Sequence, residues 1–210
     1  MKSYASGDVA KCKYLMVLSA KGAFLMTFLL SAPLLVGTEF LIDLWLTEVP
    51  PYSVGLTRLF LLVCIVDSLS AGISDYVFAR GNIKVYQLSV NTLFLISIPV
   101  SFVVLKLSRS PYGLLVTYLV FSVLNFACRQ IVLWKYYDFS PAVLFKKAYL
   151  PILYIVIASL PMFLFCNYVL TNPIWGIILS VVYVGISEFF LGLNSGERSF
   201  LISKLSFLKK

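Results

Sequence analysis

The chain has 210 residues, of which 60% are hydrophobic and only 12% are charged, and its net charge is +8. A soluble domain carries about 25% charged residues, so this composition excludes an ordinary soluble protein. Repeated apolar runs of about 20 residues instead predict an all-α integral membrane protein. Histidine is absent and no two of the four cysteines form a CxxC pair, so we expect neither a metal site nor a disulfide framework.

Six apolar runs predict six transmembrane helices, numbered here as spans 1 to 6 in chain order. Their predicted ranges are 23–45, 55–78, 86–107, 111–134, 149–170 and 173–193. The chain then divides into three parts: an N-terminal segment over 1–22, a six-span transmembrane domain over 23–193 and a basic tail over 194–210. Span 2 is the least hydrophobic of the six, because it carries Arg58, Asp67 and Asp75.

The basic residues are distributed unevenly between the two ends of the spans. Of the 17 Lys and Arg, all but Arg58, Lys106 and Arg109 flank the same side. The positive-inside rule therefore predicts that both termini are cytoplasmic, and the even number of spans agrees. The net positive charge then reflects topology and contact with anionic membrane lipids. Nucleic-acid binding is not expected, since the basic residues do not form one surface.

Proline and glycine positions suggest how the spans are joined. Spans 1, 3 and 5 contain interior prolines and spans 2, 4 and 6 begin near one, which predicts three helical hairpins with a bent first arm. Ordinary proline usage in membrane helices explains the same pattern, so the repeat stays open. "VFARGNIKVYQ" at 77–87 is predicted to be a tight cytoplasmic turn at Gly81 and Asn82.

Two features near the cytoplasmic side are predicted to lie at the interface. Residues 141–149 combine apolar side chains with Lys146 and Lys147, which suits a short interfacial helix that precedes span 5. Glu188 is near the inner end of span 6 and is also interpreted as an interfacial residue.

Polar residues inside the membrane are costly, so they are candidates for function. At about 100° per residue, a helical span 2 would place a small, polar face on one side and apolar residues on the other. The members of this face are Asp67, Ser70, Ser74 and Asp75. Such a face must look at protein or at a water-filled cavity.

Span 4 carries a second polar stripe at helical spacing. Its members are Tyr118, Ser122, Asn125 and Arg129.

Arg129 and Asp75 have similar predicted depths and could pair across the bundle. The functional interpretation is a cavity for a polar headgroup in which Arg129 contacts a phosphate. The alternatives stay open: Arg129 as a topology anchor, and Asp67 either as a structural hydrogen-bond acceptor or as an ion- or proton-coupling group.

Four stretches resemble the Wzx-type polysaccharide-biosynthesis flippases, which transport lipid-linked oligosaccharides and belong to the MATE/MurJ-like superfamily. They are "KSYASGD" at 2–8, "PLLVGTEFLIDLWLTEVPPY" at 33–52, "ARGNIKVYQ" at 79–87 and "GLNSGER" at 192–198. The resemblance implies two pseudo-symmetric lobes in a complete transporter, of which this chain would be the C-terminal part of a MATE-like lobe. Its partners would then be a missing N-terminal lobe or a second copy.

The same resemblance implies transport of an undecaprenyl-pyrophosphate-linked oligosaccharide across the bacterial inner membrane for O-antigen and other surface polysaccharide synthesis. The isolated chain is expected not to transport, because one lobe cannot rock against itself. The alternatives are a MATE-like, ion-coupled exporter of small organic cations that uses Asp67 or Asp75, and a structural membrane subunit. An enzyme is disfavoured, since no nucleophile–base pair is visible and no cofactor is implied.

Overall fold

The computed structural model describes residues 9–81, 83–137, 139–168, 172–194 and 196–199. Within these ranges the regular structure is entirely helical, without a strand. Six helices are long and apolar enough to cross a membrane, and they keep the span numbers used above. Their bounds are Val9–Val36, Ser53–Arg80, Lys84–Ser108, Tyr112–Tyr137, Pro141–Cys166 and Pro173–Gly192. The predicted all-α chain with six such helices is therefore confirmed.

Spans 3, 4 and 6 lie close to their predicted ranges, but span 1 does not. Its helix begins at Val9, within the segment predicted to precede the membrane, and ends at Val36. A separate helix over Thr38–Trp45 follows Gly37. The prediction placed the start of span 1 after Lys21, because a charged lysine is normally found outside the apolar part of a membrane. Lys21 is instead 2% exposed and its Nζ lies 2.6 Å from Glu197, so its charge is paired and does not end the apolar helix.

The predicted short interfacial helix before span 5 is not a separate element. A turn of α-helix over Pro141–Leu144 passes into a π-helix over Phe145–Tyr149, which continues as the α-helix Leu150–Tyr168. Leu144 and Ala148 are fully buried against the ends of spans 1 and 4. This packing explains why the segment joins span 5.

The helices pack so that span 4 contacts both span 3 and span 2, span 2 contacts span 1, and span 1 contacts spans 6 and 5. One buried cluster joins the beginning of span 1 to the beginning of span 3 and the C-terminal ends of spans 2 and 4, with Met16, Ile73, Tyr86 and Leu133 among its members. A second joins the later part of span 1 to spans 5 and 6. Many large apolar side chains elsewhere are exposed, which suits a surface covered by lipid.

The predicted turn at 77–87 occurs where expected. The second half of span 2 ends at Arg80, and Gly81 takes a positive φ of 84°, a conformation that favours glycine. Asn82, the other predicted turn residue, lies outside the described residues. Arg80 donates a hydrogen bond to the backbone carbonyl of Tyr137, the last residue of span 4. The turn is therefore attached to the C-terminal end of span 4, where a cation also complements the helix dipole.

Candidate functional site

Span 2 is interrupted at residues 69–72, and the candidate site is built around this interruption. The helix Ser53–Ser68 ends, residues 69–72 form turns, and the helix Ile73–Arg80 begins. The predicted span over 55–78 is thus found within Ser53–Arg80, but the regular helix assumed for its polar face is broken at 69–72. The stretch "SLSAGIS" at 68–74 is the signal that the prediction overlooked, because small polar residues and a glycine weaken a helix.

Gly72 determines how the interruption packs. Its φ is +77°, and a Cβ atom at this position would lie 2.7 Å from the Cβ of Ser19 in span 1. Glycine is thus needed twice here, once for its backbone conformation and once for the close approach of span 1. The interruption is a packed feature of the fold.

An interrupted membrane helix leaves backbone groups without their usual partners, and these must be satisfied by other elements. The carbonyl oxygen of Leu69 accepts a hydrogen bond of 3.2 Å from the hydroxyl of Tyr149 in span 5. The same hydroxyl accepts a bond of 2.8 Å from the side-chain amide of Gln130 in span 4. Spans 4 and 5 therefore hold the turn of span 2 in place. The sequence analysis missed Gln130 and Tyr149, although Gln130 is a polar residue next to the predicted stripe.

Asp67 lies in the last turn before the interruption and faces span 4. One of its carboxylate oxygens accepts a hydrogen bond from the hydroxyl of Ser122, which is itself buried. The rest of the Asp67 side chain is exposed. The structural hydrogen bond that the sequence analysis offered as one alternative is thus formed, and the carboxylate also remains accessible in front of spans 2 and 4.

Arg129 is joined to span 2 through an aromatic ring. Its guanidinium carbon lies 5.9 Å from the centre of the Tyr86 ring, within the range of a cation–π contact. The hydroxyl of Tyr86 lies 2.9 Å from the hydroxyl of Ser74. Arg129 also donates from Nε to the side-chain oxygen of Asn125 at 3.5 Å, a long hydrogen bond.

The pairing of Arg129 with Asp75 was wrong. Asp75 lies instead in a small cleft against span 1, beside Cys12, Ser19 and Gly72. The predicted face assumed one regular helix from Asp67 to Asp75, but the turns at 69–72 change the rotation of every residue beyond them. Asp67 consequently faces span 4, whereas Asp75 faces span 1.

Arg129 therefore has no carboxylate partner among the residues that the structure describes. Its two terminal nitrogens donate to no protein group within these residues. These nitrogens can donate parallel hydrogen bonds to a phosphate or carboxylate, which accept in a matching geometry. The guanidinium is half-buried beside polar and aromatic side chains and is thus positioned for an anionic ligand.

The remaining two predicted site residues lie at the edges of this group. Ser70 is buried within the turn itself, where its backbone N–H donates to the carbonyl of Asp67. Tyr118 packs against Phe94 of span 3, with ring centres 6.1 Å apart. It lines a separate, largely apolar cavity of about 800 Å³ between spans 3 and 4. Tyr118 therefore faces span 3 more than the interruption.

Together these contacts form a polar seam, defined here as Asp67, Ser74, Ser122, Asn125 and Arg129 with the ring of Tyr86. It contains one carboxylate and one guanidinium with unfilled hydrogen-bonding capacity. No protein-family model matches the chain, and neither a curated protein nor a solved structure is significantly similar to it. The resemblance to the flippases thus stays a prediction, and the seam itself must support any functional proposal.

Proposed function

We propose that this chain forms the substrate-lining part of a membrane transporter that moves a lipid-linked oligosaccharide pyrophosphate between the leaflets of a bacterial inner membrane. The observation that carries the proposal is the Arg129 guanidinium of the polar seam, which has no carboxylate partner within the described part of the chain. A pyrophosphate offers the planar sets of acceptor oxygens that an arginine fork binds. The process involves no covalent step and needs no cofactor.

The interruption of span 2 also supports a transporter. Substrate sites of many secondary transporters are built where a membrane helix is discontinuous, because irregular backbone persists only beside protein or water. The headgroup would move along the polar seam, while its lipid tail would remain in the surrounding apolar phase. The many exposed apolar side chains of spans 3 and 4 suit contact with such a tail.

Transport by alternating access requires two bodies that move against each other. The six spans would supply one of them, and an N-terminal lobe or a second copy of the chain would supply the other. The distribution of Lys and Arg favours cytoplasmic termini, which would put Arg129 near the cytoplasmic end of the seam, where the substrate enters.

A second candidate function is an ion-coupled exporter of small organic cations. It is favoured by the exposed carboxylate of Asp67, which keeps acceptor capacity beyond its bond to Ser122. The two functions differ in the sign of the ligand's charge. A pyrophosphate makes Arg129 essential, whereas a cation makes Asp67 or Asp75 essential. A purely structural subunit, the third possibility, would need no polar seam.

The test measures binding by the chain in lipid nanodiscs, with a polyprenyl pyrophosphate and a quaternary ammonium dye as probes. We expect Arg129→Gln to weaken binding of the pyrophosphate about tenfold or more, since hydrogen bonds between charged groups are the strong ones. The matched control is Arg109→Gln, which removes an exposed arginine outside the seam. Unchanged pyrophosphate binding by Arg129→Gln would refute the proposal, and dye binding that depends on Asp67 would favour the exporter.

A further inference from the structure

Glu188 was interpreted as an interfacial residue, and the structure contradicts this. Its side chain is only 7% exposed, and it begins the π-helix Glu188–Gly192 that ends span 6. Its Oε1 atom has no hydrogen-bond partner in the described part of the chain. A buried carboxyl oxygen without a partner is uncommon in proteins, and π-helical turns occur frequently at functional sites.

The surroundings of Glu188 are apolar. Gly185 and Gly192 precede and follow it by about one helical turn, on the same face of span 6. A Cβ atom at Gly185 would lie 3.7 Å from Leu29 of span 1, and one at Gly192 would meet Leu25 of span 1 and Ile155 of span 5. Glu188 therefore enters the region where spans 1, 5 and 6 meet, within the second buried cluster.

The titratable side chains on these packed elements are engaged elsewhere. Lys21, the only buried Lys or Arg among the described residues, forms its ion pair with Glu197. Tyr149 bonds to Gln130 and Leu69, as described above. Tyr183 and Cys166 donate to the carbonyls of Ala158 and Gly176. Arg198, which follows span 6, donates to the carbonyls of Phe190 and Leu193. Cys12 and Lys13 lie against the first buried cluster. The remaining groups are exposed, namely Lys11, Tyr14, Lys146, Lys147 and Tyr154.

We propose that Glu188 is a proton-binding site of this chain and that it carries its proton at neutral pH. An ionised carboxylate would need a cation or several donors in this apolar region, and its contacts among the described residues supply neither. The neutral acid carries no charge, and burial of an unpaired neutral oxygen costs much less free energy than burial of an unpaired charge.

This site lies outside the polar seam, because the second buried cluster shares no residue with the seam. The inference does not rest on the proposed transport of a pyrophosphate. It would stand for either transporter and would fail independently of both.

The test is infrared difference spectroscopy of the full chain in lipid, because a protonated carboxylic acid has a carbonyl stretch that is distinct from that of a carboxylate. We expect this band at neutral pH, a small shift in deuterated water, and reversible loss as the pH rises. Glu188→Gln should abolish the band. Glu39→Gln, which removes an exposed glutamate on the outer side, is the matched control and should leave the band unchanged.

If Glu188→Gln does not fold, Glu188→Asp should move the band in frequency, which assigns it to this residue. Two results would overturn the proposal. One is a spectrum without a protonated-acid band at neutral pH, and the other is a band that remains the same in both Glu188 variants. A band that persists unchanged at every pH at which the helices remain intact would show a buried acid that does not exchange protons, and would also overturn it.

Discussion

Ser122 of span 4 donates a hydrogen bond to the carboxylate of Asp67, which lies in the last helical turn before the interruption of span 2. This single bond joins the two polar stripes across the contact between their helices. The bond forms only when the face of span 4 that carries Ser122 points toward the face of span 2 that carries Asp67. It therefore favours one rotation of span 4 relative to span 2. The candidate site therefore depends on a packing contact as much as on the identity of its polar residues.

The first prediction concerns this bond. We expect Ser122→Ala to lower the free energy of unfolding by about 1–2 kcal/mol, because the Asp67 carboxylate loses the hydrogen bond that it accepts from the Ser122 hydroxyl. The measurement is chemical unfolding of the chain in detergent, followed by circular dichroism. Ser89→Ala is the control, since the Ser89 hydroxyl bonds only to Val85 within its own helix. In an Asp67→Ala background the bond is already absent, so Ser122→Ala should then cost no more than the Ser89→Ala control. An equal cost of Ser122→Ala in both backgrounds would show that the two side chains are not coupled.

The second prediction concerns Gly72. We expect Gly72→Ala to destabilise the fold by about 1–3 kcal/mol, because alanine disfavours a positive φ and its Cβ would collide with Ser19. Gly81→Ala separates these two causes, since Gly81 also has a positive φ but nothing lies within 4 Å of its Cβ position. The difference between the two unfolding free energies measures the close approach alone. Equal losses for both variants would mean that Ser19 simply moves aside.

The third prediction concerns the buried ion pair. The side chains alone of Lys21 and Glu197 are 3% and 16% exposed, so removal of one charge leaves the other without its partner. We expect Lys21→Met to cost about 3–5 kcal/mol of unfolding free energy. The comparison is Arg58→Met, which breaks the exposed pair with Glu39 and should cost about 1 kcal/mol or less. Partial recovery of stability in the exchanged variant, Lys21→Glu with Glu197→Lys, would confirm that the two residues act as a pair.

The fourth prediction concerns the turn of span 2. Tyr149→Phe removes the hydroxyl that donates to Leu69 and accepts from Gln130, so two polar groups lose a partner at once. We expect a loss of about 1–3 kcal/mol and faster backbone amide exchange at residues 69–72. Tyr154→Phe serves as the control, because Tyr154 lies exposed on the same span. Amide exchange that is equally slow in both variants would argue against this role of Tyr149.

The six spans could be predicted because they depend only on the length and composition of apolar runs, which are local properties. The start of span 1 could not, since the partner that allows Lys21 to be buried is 176 residues away in the sequence. The site was predicted in part for a similar reason. Helical spacing correctly grouped Ser122, Asn125 and Arg129, which share one regular helix.

The positions of Asp75 and Glu188 were beyond sequence reasoning. The helical wheel of span 2 fails at residues 69–72, and every rotation assigned beyond that point is then wrong. Glu188 was predicted to be exposed because it lies near the end of a span, but its burial depends on how three helices meet there. Both errors arise because helix rotation and helix contact are properties of the assembled fold.

The distances along the chain between bonded polar groups have a consequence for synthesis of the protein. Asp67 leaves the ribosome 55 residues before Ser122, and the carbonyl of Leu69 leaves it 80 residues before Tyr149. Glu197 is 176 residues after Lys21, and synthesis of that length takes roughly 9–35 s at about 5–20 residues per second. During translation, these groups must therefore be accommodated by the insertion machinery, by water or by lipid headgroups, and the polar interior of the bundle closes only as the last spans are delivered.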